Sequence, residues 1–150
     1  MPKHAYFRQS VEIEVPFLDV DSMDIVWHGN YVKYLEVARC ALLDEIGYNY
    51  RRMRSHGYEW PVVKLDIKYI RPALFAQKIR VETELVEYES SMKIEYTVRD
   101  AESGAKLTRA STTQVAVEAA GGEMQFQTPA LWQDTLRSHP GFRQPETSGQ

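Results

Sequence analysis

The stretch Asp19-Val20-Asp21-Ser22-Met23-Asp24-Ile25-Val26-Trp27-His28-Gly29-Asn30-Tyr31 gathers three carboxylates, a histidine and two aromatic side chains in one short span. A carboxylate can take a proton from water as a general base, or attack a carbonyl carbon as a nucleophile. Beyond this span the apolar residues recur at helical spacing, so the span feeds a helix N-terminus. The first N–H groups of a helix lack intrahelical partners and lie at the positive end of its dipole. Such donors hold an anion or a developing oxyanion. A base or nucleophile beside an oxyanion donor is the equipment of acyl transfer.

Plainer readings compete with this one. Asp and Asn ahead of a helix commonly do no more than cap it. Asp19-x-Asp21-x-x-Asp24 lacks the spacing, glycine and terminal glutamate of an EF-hand loop. His28 alone reads as readily as a structural or capping histidine. His4, His28, His56 and His139 show no metal-ligand spacing with Cys40, so no metal is assigned. A G-x-S-x-G elbow, a P-loop and a dinucleotide glycine pattern are all missing, and no cofactor is expected.

The elements that must hold this span follow from periodicity. Four segments alternate apolar and polar residues: Phe7 to Phe17 (interrupted by Gln9), Val63 to Tyr69, Ile79 to Leu85, and Met92 to Val98. A fifth, Lys106 to Glu118, alternates more weakly. Alternation of this kind predicts half-buried strands of an antiparallel sheet. Asp100-Ala101-Glu102-Ser103-Gly104 has hairpin chemistry, and Tyr88-Glu89-Ser90-Ser91 is a second short connection. Ala119 to Gly122 is expected to turn into a short last strand near Met124 to Gln127. A second helix is expected after Thr128-Pro129, with Thr128 as cap and Pro129 in the first helical position.

The strongest helix runs from about Asn30 to Ile46 and stops at Gly47. Tyr31, Tyr34, Leu35, Ala38, Leu42 and Ile46 form the stripe that should face the sheet. Val32, Val37, Cys40 and Leu43 widen the apolar surface beyond that stripe, which asks for cover from a partner subunit. The alternative is that Lys33, Glu36 and Arg39 mark an ordinary solvent face. The fold class is α+β, a curved antiparallel sheet of five or six strands wrapped around one long central helix. Residues 1–138 read as a single domain, and residues 139–150, rich in Pro, Gly, Ser and Gln, as a tail without structure.

Bulk properties exclude several classes. The 150 residues carry a net charge of -3, which offers no basic footprint for nucleic acid. Hydrophobic residues make up 43% and charged residues 26%, an ordinary globular balance. No apolar run reaches the roughly 20 residues of a membrane span. The N-terminus lacks the apolar segment of a secretory signal. The lone Cys40 leaves no internal disulfide and suits the reducing cytoplasm.

The span from Asp19 to Tyr31, followed by Glu36 and Ala38-Arg39, resembles the signature of the 4-hydroxybenzoyl-CoA thioesterase-like branch of the hotdog superfamily. That signature is D-x-D-x-x-G-x-V-x-[HY]-x-x-Y with a later E-x-A-R. Val62 to Ala73, with Tyr69 and Arg71-Pro72-Ala73, is also similar, and the likeness covers roughly Phe7 to Glu118. The resemblance implies a hotdog fold, homodimers or homotetramers with active sites at subunit interfaces, and hydrolysis of an acyl-CoA to free acid and coenzyme A. An acyl carrier protein thioester is the close variant, and acyl-CoA binding without turnover or a dehydratase are the other readings. By the resemblance, Asp21 is the general base or nucleophile, and the backbone N–H at His28 polarises the thioester carbonyl. Trp27, Gly29, Asn30 and Tyr31 line the substrate site. Arg71, Lys106 and Arg109 are the candidates for the coenzyme A phosphates. The chain departs from the pattern at Asp24, where the family has a glycine. Glycine there marks tight backbone geometry, and Asp is among the few side chains that tolerate it.

Overall fold

The computed structural model describes residues 3–145. Strand β1 (Phe7–Glu14) leads through two short 3-10 turns, Phe17–Asp19 and His28–Asn30, into helix α1 (Tyr31–Ile46). Helix α2 (Tyr50–Ser55) and strand β2 (Tyr58–Glu59) come next. Strands β3 (Val62–Tyr69), β4 (Lys78–Glu87), β5 (Met92–Asp100), β6 (Lys106–Gln114) and β7 (Val117–Glu118) follow, and helix α3 (Ala130–Ser138) closes the series. The main sheet has the order β1-β4-β5-β6-β3, and every neighbouring pair is antiparallel. β2 and β7 form a separate small pair.

Alternation explains the sheet. On β4, Ile79, Val81, Thr83 and Leu85 are buried, while Arg80, Glu82 and Glu84 face the other way. On β5 the buried set is Met92, Ile94, Tyr96 and Val98. α1 packs on β1 and β4. Its buried Tyr34, Leu35, Ala38 and Leu42 join those strand residues in one core. Register shifts near Val62, Glu87 and Arg99 add bends to the paired strands, and bulges of this sort increase local twist and curl.

Several boundaries differ from the sequence-based expectation. α1 begins at Tyr31 rather than Asn30, because His28 to Asn30 is wound more tightly as a 3-10 turn. It ends at Gly47 as expected, with φ +95° and the Gly47 N–H donating to Leu43 O. Thr128 does not cap α3. Its hydroxyl donates to Tyr88 O at 2.7 Å, and Pro129 occupies the N-cap position. Met124 to Gln127 form no strand, only a single bridge from Met124 to Val117. α2 and β2 had no periodicity long enough to announce them.

Two corrections concern burial. Arg39 is only 3% exposed. It is held by an ion pair with Glu36 and by donating its Nε–H to Tyr50 Oη at 2.8 Å. It is no part of a solvent face, and its charge stays paired where an unpaired one would be costly. Leu43 is 0% exposed, so the fold itself covers part of the helix surface that seemed to need a partner. Val32 and Val37 remain exposed. The stretch after α3 is also not loose where it is described. Phe142 packs against Tyr6 and Tyr88, and the Arg143 N–H donates to Tyr6 O at 2.8 Å. Residues 146–150 of the expected tail lie outside the described residues. No helix among the described residues is long and apolar enough to cross a membrane.

The loop between β1 and α1 is tied down at Asp19, which is buried. Its carboxylate pairs with the Lys33 ammonium and accepts the Tyr34 hydroxyl at 2.7 Å. Its carbonyl accepts the Trp27 N–H at 3.0 Å and the Asn30 side-chain amide at 2.9 Å. Burial alone would raise the Asp19 pKa, but the Lys33 and Tyr34 hydrogen bonds outweigh it and hold the carboxyl below its usual range.

The loop's own tip is a tight hairpin bounded by the Val20–Val26 bridge. The Asp24 N–H donates to Asp21 O at 3.0 Å, and the Asp21 N–H donates to Ile25 O at 2.9 Å. Asp24 has φ +60°. A three-residue hairpin loop places a left-handed residue at this point, and glycine fits it without the Cβ penalty. Asp is one of the side chains that can occupy it.

Because the folded-state pKa of Asp19 lies below its unfolded value, its contribution is present above the unfolded pKa and fades as pH falls through the folded one. Asp19→Asn is expected to lower unfolding free energy by roughly 1–3 kcal/mol at pH 7. The gap from the parent should close below about pH 4, as seen in urea titrations across pH. At the hairpin tip, Asp24→Gly should fold with stability within about 1 kcal/mol of the parent, relief of the left-handed strain offsetting greater unfolded-state freedom. Asp24→Val should lose roughly 2 kcal/mol in the same denaturation assay.

Candidate active site

The hairpin and the first turn of α1 enclose one side of a cavity of about 310 Å³. Its walls include Val26, Trp27 and Tyr31 from the loop and helix, and Tyr69, Ile70 and Pro72 from the end of β3 and just beyond it. Asp21, His28 and Arg71 bring the charged and titratable groups to the same cavity. Two chain segments far apart in sequence therefore share the site. The Ile25–Leu74 bridge and the Val26 N–H to Ala73 O bond (2.9 Å) join them.

Asp21 is exposed, and one carboxylate oxygen serves its own turn. Oδ1 accepts the Met23 N–H at 2.8 Å and the Ile25 N–H at 3.4 Å, an Asx-turn arrangement. Oδ2 has no hydrogen-bond partner among the described residues, which leaves it open to water or substrate. The turn thus uses one oxygen of the side chain and leaves the other open.

His28 contributes its main chain. Among the described residues neither its N–H nor that of Gly29 donates a hydrogen bond, whereas the Trp27 N–H donates to Asp19 O and the Asn30 N–H to Trp27 O. These two open donors belong to the tight turn that starts the helix. The His28 carbonyl accepts the Tyr31 N–H.

The remaining expected residues divide. Trp27 is 53% exposed and lines the cavity. Its indole lies over Gly29, where an added Cβ would run into the six-membered ring. Tyr31 lines the cavity with its ring, although the residue is only 2% exposed and its hydroxyl accepts the Ala73 N–H at 2.9 Å. Gly29 and Asn30 are not part of the lining. Asn30 turns its amide toward Asp19 instead.

The three loop carboxylates do not act as a group. Asp19 is committed to Lys33 and Tyr34, and no cluster of His, Cys, Asp or Glu with metal-holding geometry occurs among the described residues. Of the basic candidates, only Arg71 reaches this cavity. Lys106 and Arg109 line a separate polar groove with Arg8, Glu82 and Glu84. Tyr69 was not expected at the site. Its hydroxyl donates to His28 O at 2.8 Å. The signal was present only as a tyrosine at the end of an alternating strand, and nothing in sequence distance brings residue 69 to residue 28.

Residues 15–138 match the thioesterase-like superfamily. The Bacillus subtilis protein YneP, provisionally named an acyl-CoA thioesterase, is 38% identical over 77 residues. That stretch covers 51% of this chain and 56% of YneP, so the likeness spans little more than half of that relative. Among solved structures, the Thermus thermophilus protein TT1821 superposes with a TM-score of 0.76 at 28% identity, covering 87% of this chain and 98% of that one. A Staphylococcus aureus DHNA-CoA thioesterase gives a TM-score of 0.73 at 26% identity, covering 79% of this chain and 80% of that one. With its antiparallel sheet laid against α1 and its family signature spanning the loop and the strands, the chain adopts the hotdog fold and belongs to the thioesterase-like superfamily.

Proposed function

We propose that this protein hydrolyses an acyl-CoA thioester to the free acid and coenzyme A. The observation that carries the reading is the meeting, at one largely apolar cavity, of the Asp21 carboxylate with the residue whose N–H is an open donor, His28. As general base, Asp21 takes a proton from water as the water oxygen bonds to the thioester carbon. The carbonyl oxygen becomes an oxyanion held by the helix-start N–H groups. The C–S bond then breaks, and the thiolate leaves with the proton from Asp21. As nucleophile, Asp21 would attack the thioester carbon through the same oxyanion, whose collapse breaks the C–S bond and expels the thiolate to leave an acyl anhydride; water would then cleave the anhydride to the free acid and restore the carboxylate.

In this reading Trp27 and Tyr31 flank the acyl or pantetheine portion, and Gly29 and Asn30 shape the turn beneath them. Arg71, at the cavity, meets a phosphate of coenzyme A. The close variant, an acyl carrier protein thioester, presents the same pantetheine and thioester. The provisional name of YneP and the name of the Staphylococcus aureus structure support an acyl-CoA substrate. The lone Cys40 supports a cytoplasmic setting.

A homodimer or homotetramer is part of the proposal. β3 is an edge strand with β6 as its neighbour, and Val63, Leu65 and Tyr69 along it are exposed. An open edge with apolar side chains favours association. Val32 and Val37 on α1 add to the surface left for a second copy.

Two measurements test these statements. Thiol release from a panel of aromatic, short, branched and long acyl-CoAs should exceed buffer for at least one. Asp21→Asn should lower kcat by at least about a hundredfold with the fold intact. Activity equal to the parent would remove Asp21 from the chemistry, and no release across the panel would favour acyl-CoA binding without turnover. In native mass measurement the protein should run as two or four chains, and a stable monomer at micromolar concentration would sink the shared-interface proposal.

A further inference from the structure

Tyr69 stands 41 residues beyond His28 in sequence, yet its hydroxyl donates to the His28 carbonyl at 2.8 Å. The same oxygen also accepts the Tyr31 N–H, the bond that closes the 3-10 turn. The His28 carbonyl and the Gly29 N–H belong to one planar peptide unit. A donor on that oxygen draws electron density across the C–N bond and leaves the Gly29 N–H more positive. Coupled hydrogen bonds strengthen one another by roughly 10–30% each. The Gly29 N–H makes no hydrogen bond among the described residues.

The surroundings hold this peptide from two sides. The Trp27 indole occupies the space beside the Gly29 Cα that a Cβ would need. The Tyr69 ring packs edge-on against Tyr31, with centroids 5.1 Å apart, and the Tyr31 hydroxyl is itself anchored by the Ala73 N–H. Tyr69 is 48% exposed, so it is not placed there to fill the core. Partial desolvation, with Tyr31 beside it, pushes the Tyr69 phenol above its usual range.

We infer that Tyr69 is a positioning residue: by fixing the His28 carbonyl it holds the helix-start turn, so that the open His28 N–H keeps its orientation at the cavity. The inference rests on the proposed thioester hydrolysis. Tyr69 touches no reacting atom. It acts from the end of β3 on the turn that carries the His28 N–H.

The test is Tyr69→Phe, which removes the hydroxyl and keeps the ring. With the best acyl-CoA of the panel, kcat is expected to fall about tenfold, less than the loss of a whole oxyanion donor, while KM stays within about twofold. The urea midpoint should stay close to that of the parent. Amide hydrogen exchange at Asn30 and Tyr31, whose N–H groups close the turn, should speed up severalfold. Unchanged kcat, or a lower midpoint with unchanged kcat per folded molecule, would reduce Tyr69 to a packing role and overturn the inference. Unchanged exchange would overturn it as well. If the parent releases no thiol from any substrate, the hydrolase reading fails, and the exchange rates alone decide whether Tyr69 holds the turn.

Discussion

The buried carboxylate of Asp19 is the point on which the site's geometry depends. An irregular loop has to leave β1, form a hairpin and enter α1 with its polar backbone groups satisfied. Asp19 meets that demand with both of its polar ends. The side chain binds Lys33 and Tyr34 on α1, and the carbonyl collects the Trp27 N–H and the Asn30 amide. Once those bonds are made, the path of residues 20 to 30 has little freedom. Two N–H groups without a partner among the described residues, those of His28 and Gly29, sit side by side at the helix start. Buried carboxylates are costly unless paired and hydrogen-bonded, and this one is both.

The neighbouring Asp21 illustrates how a structural role leaves room for the proposed chemical one. One oxygen closes an Asx turn, as the plainest reading of an Asp ahead of a helix would have it. The other has no partner among the described residues and belongs to a residue of the cavity. The same division appears at Tyr31, whose hydroxyl braces Ala73 while its ring forms wall.

Asp24 connects the family pattern to backbone physics. The signature's glycine is absent, but the reason for it is visible: the position is left-handed, with φ +60°. The hairpin that carries Asp21 needs a residue that can turn this way, and Asp is able to do so. The departure changes a side chain without changing the turn. The charged Asp24 therefore stands in the chain as a substitution that the loop geometry accepts.

Much of this protein was legible in its sequence. Period-two alternation marked the strands of the main sheet, because β4 and β5 each bury one face; β3 alternates as well, although the half-buried face expected of it is exposed apart from Ile67. The run from Tyr31 to Ile46 with Gly47 behind it marked the helix, because a left-handed stop needs glycine. The cluster from Asp19 to Tyr31 marked the candidate site. Periodicity could not show that Arg39 goes inward, since a buried cation depends on Glu36 and Tyr50 being there to receive it. Nor could it show that Asp19 is structural while Asp21 faces the cavity, because both precede the same helix. The start of α3 was misread at Thr128, whose hydroxyl found a better partner across the fold in Tyr88. Local order determines which residues can form a strand, a turn or a helix end. Which donor meets which acceptor across 41 residues, as Tyr69 meets His28, is decided only when the sheet closes on the loop, since that bond rests on tertiary distance and has no period in the chain.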